Sequence, residues 1–302
     1  MSSDVAAPAA ELSRHYAKVC ELRDFRDPEL LRWIAEVLPA EPAAEKPRRK
    51  AWEFGMVASF LNDVGALGDS SRVLDVAAGI EPLLFWLTNR AGHVTAVDIY
   101  GSGHFAEMEA QGGMLEDPSR FAPYPFREDR LTVQYMDARK LDFPDESFDV
   151  VLSCSSIEHF GTMRQIAGAA AEIGRVLKPR GFAIIISELF VKHSLIDRAP
   201  VHFAARLATL GRRAPTATPW RRYALNEAFT CRDLQCYVID ASRLQLMQSV
   251  DTSISDDTWS NMTITHAGGR YTTTSGNELP HILLQGGRSV FTSVCLALQK
   301  VA

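Results

Sequence analysis

Cysteine is scarce and scattered, with Cys20, Cys154, Cys231, Cys236 and Cys295 making five in 302 residues. The odd number and the lack of a C-x-x-C pair argue against a disulfide framework or a thiolate zinc site. They fit packing thiols in a reducing cytoplasm, which is the expected location. No apolar run reaches the ~18 residues of a membrane span. The first ten residues, MSSDVAAPAA, lack the charged and apolar regions of a signal peptide and read as a tail. Positive charge is also short, with 32 Lys and Arg against 37 Asp and Glu, a net charge of -5 and a pI near 5.9. The basic clusters Arg48-Arg49-Lys50 and Arg221-Arg222 are brief and read as solvated surface, so the stripe of a nucleic-acid binder is missing. Glycine is thin where a dinucleotide site would need G-x-G-x-x-G: Ala77-Ala78-Gly79-Ile80-Glu81-Pro82 holds one. Glu81 there would repel a pyrophosphate, so a cationic or zwitterionic nucleoside is better suited.

What is present is a strand, turn, helix and strand. Val73-Leu74-Asp75-Val76 is short and apolar enough for a buried parallel strand. Ala77-Ala78-Gly79 lets the backbone turn close to a ligand. Leu83 to Asn89 reads as a helix, and Val94 to Val97 as a second strand ended by Asp98. An acid there can accept hydrogen bonds from two ribose hydroxyls. Further strands are expected at 132–136, 148–153, 182–187, 244–250 and 289–298. Helices are expected at 11–38, 51–67, 163–177 and 230–241, the last N-capped by Thr230. The polar connection 101–130 is long enough to be a lid. The alternation predicts an α/β, doubly wound, Rossmann-like fold: a mainly parallel seven-stranded sheet with helices on both faces and a helical cap. Residues 1–69 would be a tail and helices covering the cofactor site. Residues 70–302 would be the main domain, with a cap at about 191–228 and a polar insertion at about 255–286.

The Gly79 turn, Asp98, Asp137-Ala138 and Leu177-Lys178-Pro179-Arg180-Gly181 stand in an order that resembles the class I S-adenosylmethionine-dependent methyltransferases over roughly 70–190. RKAWEF before the first strand and PDESFDVVLSCSSIEHF at the fourth look like bacterial members encoded beside glycosyltransferases. The resemblance implies S-adenosylmethionine as cofactor. Asp75, Ala77 and Gly79 would line its methionine and sulfonium end, and Asp98 would bind the ribose. Asp137 and the Ala138 N–H would meet the adenine edge, with Ile99 and Ala138 packed on its faces. Ser155 would join the cofactor side just past the fourth strand. Ala77 stands where the family's loop usually has a glycine, and Ile80-Glu81 replaces a small pair. Taken singly, these acids could equally be a turn cap or strand-end carboxylates on solvated loops.

His159, at the carboxyl edge, is the candidate base, and ordering the pocket without proton transfer is its other reading. A metal-binding variant of the family carries a further Glu where Ser155 stands, so no metal is expected. His104 and Glu188 are candidate acceptor-binding residues. The arginines at 198, 206, 212 and 213 could read a phosphate handle or form a solvated face, while Trp52 and Trp86 read as core. The implied reaction is methyl transfer to a small polar acceptor, most plausibly a hydroxyl of a sugar, glycan or related secondary metabolite. A silent cofactor-binding partner protein and a non-methylating nucleotide-dependent enzyme are the alternatives. No nucleic-acid or membrane partner is expected.

Overall fold

The computed structural model describes residues 12–103, 105–194, 228–265, 271–273, 281–286 and 288–301. Its strands are β1 (Lys18–Val19), β2 (Arg72–Val76), β3 (His93–Asp98), β4 (Leu131–Tyr135), β5 (Phe148–Cys154), β6 (Leu177–Lys192), β7 (Gln245–Leu246), β8 (Thr263–Thr265), β9 (Tyr271–Thr273), β10 (Leu284–Gly286) and β11 (Ser289–Gln299). The helices are α1 (Pro28–Val37), α2 (Arg49–Asp63), α3 (Pro82–Thr88) and α4 (Met163–Val176). Next comes α5, which runs Cys231–Leu234, widens into a π turn at Gln235–Ile239 and closes at Asp240–Ser242. The last is α6 (Asp256–Ser260).

Nine strands lie in the order β4-β3-β2-β5-β6-β11-β10-β8-β9, and β1 and β7 also pair with β11. From β4 to β6 every pairing is parallel, whereas β11 runs antiparallel to β6. The strands alternate between two cores, as burial on both faces demands. Val73, Val94, Val150 and Ile184 face α1, α2 and α3, while Leu74, Val97, Val151 and Ile185 face α4 and α5. Asp27 caps α1 by accepting from the Glu29 and Leu30 amides, with Pro28 at the first helical position. A Thr162–Gln165 capping box starts α4, and Thr230 with Asp233 does the same for α5.

Several expectations need correction. Among the described residues the sheet has eleven strands and is mixed: β1 and, within 255–286, β8, β9 and β10 are additional, and these short runs carry little apolar alternation. Residues 11–38 are not one helix. Lys18 and Val19 pair with Cys295 and Val294, a 3-10 turn follows at Leu22–Arg26, and the helix waits for Asp27-Pro28. The strand expected at 244–250 shrinks to β7, and the one at 182–187 lengthens to β6. Of the cap read at 191–228, residues 195–227 lie outside the described residues, the four arginines among them. Among the described residues no helix is long and apolar enough to cross a membrane.

Candidate active site

Parallel strands place their carboxyl ends along one edge, and the turns after β2, β3 and β5 meet there. Ala77 and Gly79 take positive φ, 57° and 54°, in the turn after β2. Gly79 needs its missing side chain, since a Cβ would sit 2.9 Å from the Glu109 carbonyl oxygen. Its N–H donates to Asp98 Oδ2 at 3.0 Å, and the Ile99 N–H donates to Oδ1 at 2.7 Å. Tyr100 donates its hydroxyl to the Gly79 carbonyl at 3.1 Å. The acid ending β3 thus locks the turn after β2. Two amides occupy about half of a carboxylate's acceptor capacity, so Asp98 keeps room for further donors. Burial pushes its carboxyl upward in spite of both amides.

Asp75, buried at the end of β2, is pushed up to about 8 by burial, with Glu81 and Asp98 adding repulsion and Lys50 opposing them. Glu81 is raised by burial as well, though Lys50 pairs with it. Lys50 also lies 3.3 Å from Glu53. Burial pushes Glu53 up, but Lys50 and Arg49 outweigh it and hold the carboxyl below its ordinary value. Ser293 donates to Glu53 Oε1, and Cys154 Sγ lies 3.7 Å from Oε2.

The turn after β5 carries Ser155, Glu158 and His159. Ser155 has φ 49° and donates its N–H to the Ile186 carbonyl, tying the turn to β6. Glu158 is 2% exposed, accepts from the Ser187 hydroxyl at 2.8 Å, and is pushed up to about 7, chiefly by burial. Glu188 on β6 is paired with Arg49 and raised to about 7, by burial first and then by Glu158. His159 packs against Phe105, ring centroids 4.9 Å apart and planes tilted by 53°.

Asp75, Ala77, Gly79, Asp98, Ser155, His159 and Glu188 therefore share the carboxyl edge. Asp137 is nearby, since the Met136 N–H donates to the Asp98 carbonyl, but its carboxylate is forked by Arg139, which lowers its pKa. Ala138 is buried, Ile99 is partly buried, and His104 lies outside the described residues. Among the described residues no group of three or more His, Cys, Asp or Glu could hold a metal ion.

Sequence reasoning missed the contribution of α2. Arg48-Arg49-Lys50 read as solvated surface, yet Arg49 reaches buried Glu188, and Lys50 joins Glu53 to Glu81. The available signal was Glu53, four residues after Arg49 and so on the same helical face. His281 is partly buried beside Arg48 and Arg49 and pushed down to about 4, by desolvation first and then by those cations. The 101–130 connection divides: Phe105 and Glu109 lie on the site, while Tyr124 donates to the Val37 and Pro82 carbonyls and Phe126 packs on Phe85. Trp52 and Trp86 are core, as their helical faces predict.

Buried Glu53, Asp75 and Asp98 with the partly buried Glu81, set against Lys50, make the turn end of this edge suited to a ligand carrying a positive sulfonium and hydroxyls. The residues present fit S-adenosylmethionine on that ground.

Residues 74–185 match the family described as a methyltransferase domain, from β2 into β6. The chain is 28% identical over 131 residues to the uncharacterized methyltransferase YcgJ of Bacillus subtilis, covering 43% of this chain and 46% of that protein. It is 35% identical over 112 residues to the ubiquinone/menaquinone biosynthesis C-methyltransferase UbiE of a Bradyrhizobium species, covering 36% and 39%. The chain thus matches less than half the length of these curated relatives. A crystal structure of the Bacillus subtilis YcgJ protein aligns at 16% identity over 78% of this chain and 94% of that one, with a TM-score of 0.45. The family match and both curated matches are thus to methyltransferases.

Proposed function

We propose that this chain transfers a methyl group from S-adenosylmethionine to a hydroxyl of a small polar acceptor such as a sugar, glycan or related metabolite. The observation that carries the reading is the Asp98–Gly79 lock: an acid ending one strand accepts from the glycine turn of its neighbour at the carboxyl edge. In this reading Asp98 holds the ribose, and Asp75, Ala77 and Gly79 line the methionine end. Ile99 and Ala138 flank the base, with Asp137 at its edge once Arg139 yields. The cofactor supplies an already activated methyl on sulfonium. The protein's part is to hold the nucleophile within near-attack distance and to take its proton. In this reading His159, packed against Phe105, takes that proton. The acid-rich edge favours a positive sulfonium over the neutral thioether left after transfer. Residues 1–69 serve in this reading to cover the site, through Arg49 and Lys50.

Calorimetry with S-adenosylhomocysteine tests the cofactor site. The native protein should bind, and Asp98→Ala should weaken binding at least about tenfold, as loss of hydrogen bonds to a charged group implies. A folded native protein that takes up no ligand would overturn the reading.

A further inference from the structure

Two carboxyl oxygens at this edge lack a hydrogen-bond partner among the described residues. Glu158 Oε1 and Glu188 Oε2 are buried, and no hydrogen-bond donor reaches either. Each residue is only 2% exposed. The other oxygen of each is engaged, by the Ser187 hydroxyl on Glu158 and by Arg49 on Glu188. An unsatisfied buried acceptor costs about 1–3 kcal/mol, more when charged. Two of them on interacting residues, beside the candidate base, point to a donor that arrives with a ligand. Neither belongs to the Asp75–Gly79–Asp98 cofactor turn.

We propose that Glu158 and Glu188 form the acceptor subsite and grip two neighbouring hydroxyls, so that the acceptor is a vicinal diol of the cyclitol or glycoside class. This rests on the methyl-transfer reading above. Burial raises both carboxyls, with Glu53 repelling Glu158 and Glu158 repelling Glu188, so each holds a proton more readily than a free glutamate. Arg49 balances the remaining charge, and Glu53 and His159 are the other charged or titratable groups facing the pair. One O–H donor beside one acceptor oxygen complements hydroxyls, each of which donates and accepts. An ammonium would instead call for both carboxyls ionised. The long β6–β11 ribbon continues past Glu188 as Phe190 packed on Phe291, giving the subsite an apolar flank of the kind a ring's carbon face needs.

The test uses the full chain saturated with S-adenosylhomocysteine, with ligand binding read by saturation-transfer NMR. The probes are cis-1,2-cyclohexanediol and methyl α-D-glucopyranoside, with cyclohexanol as the single-hydroxyl control. The diols should bind and cyclohexanol should not. Glu158→Gln and Glu188→Gln should each weaken diol binding at least about tenfold, with homocysteine-ligand affinity changed less than about twofold. Should either variant unfold, Ser187→Ala, which removes only the hydrogen bond orienting Glu158, should still weaken the diols several-fold. Diol binding untouched by these substitutions would mean that the two carboxyls serve only each other. Equal binding of cyclohexanol, or no diol binding to the saturated native protein, would also overturn the proposal. Failure of the native protein to take up S-adenosylhomocysteine is seen before any diol is added and overturns the underlying reading instead.

Discussion

A carboxyl buried among other carboxyls holds its proton above the usual range, and Asp75, Glu158 and Glu188 all do so here. The sign of the consequence follows from linkage. Where the folded state binds more protons than the unfolded chain, stability falls as pH rises. Asp75 is raised from 3.8 to about 8, and the two glutamates from 4.5 to about 7. Their stabilisation is whole below the unfolded values and is lost as pH rises through the folded ones. His281 works the other way, but its window closes near 6.5. Asp27, Asp137, Glu172 and Asp251 are lowered and act only in acid. The ligand-free protein should therefore lose on the order of 1–2 kcal/mol between about pH 6.5 and pH 8, a fall of several degrees in Tm. Asp75→Asn should flatten that slope. Thermal melts across the window check it, and a native Tm that holds steady or climbs would contradict the charge assignment.

At the scale of elements, α4 shows how packing and propensity separate within one helix. Gly174 lies against α5, where an added Cβ would meet the Ser242 carbonyl oxygen at 1.9 Å. Gly168, two turns earlier, faces open space. Gly174→Ala should lower stability by about 1–3 kcal/mol through overpacking. Gly168→Ala should raise it by about 0.5–1 kcal/mol, because alanine is the better helix former. Urea unfolding of the two variants side by side decides it, and equal effects would show that α4 and α5 are not in contact as described. Helix α2 makes the complementary point, since its first turns carry Arg49, Lys50 and Glu53 into the site while its remainder packs in the core.

At the scale of the molecule, the segment before α1 is part of the sheet rather than an arm. β1 pairs with β11, the Cys20 N–H donates to the Ser293 carbonyl, and the Tyr16 hydroxyl donates to Asp63 at 2.6 Å. Tyr16, Val19, Cys20 and Phe25 are buried. At roughly 1.5–3 kcal/mol for each large apolar side chain, a chain beginning at Pro28 should melt at least about 10 °C lower. Circular dichroism melts of the two chains test this, and matching curves would show the segment to be dispensable. The same segment escaped sequence reading because a two-residue strand has no period to detect. The Asp27-Pro28 start signal, by contrast, was there to read.

Taken alone, the sequence determined the βαβ order, the strands from β2 to β6 and β11, the turn at Gly79 and the acids at Asp75, Asp98 and Asp137. Each of these is encoded by neighbouring residues: apolar runs, a glycine needing positive φ, a carboxylate at a strand end. Tertiary structure alone decided that Arg49 meets Glu188, that Lys50 joins Glu53 to Glu81, and that Glu158 and Glu188 interact. Apart from Lys50–Glu53, those contacts join residues 30 to 139 positions apart, and the charges and burial that tune them exist only once α2 is laid against the sheet. The three short strands beyond β11 came from the same source, since hydrogen bonds to a formed neighbour place strands whose own sequences hold too little apolar alternation.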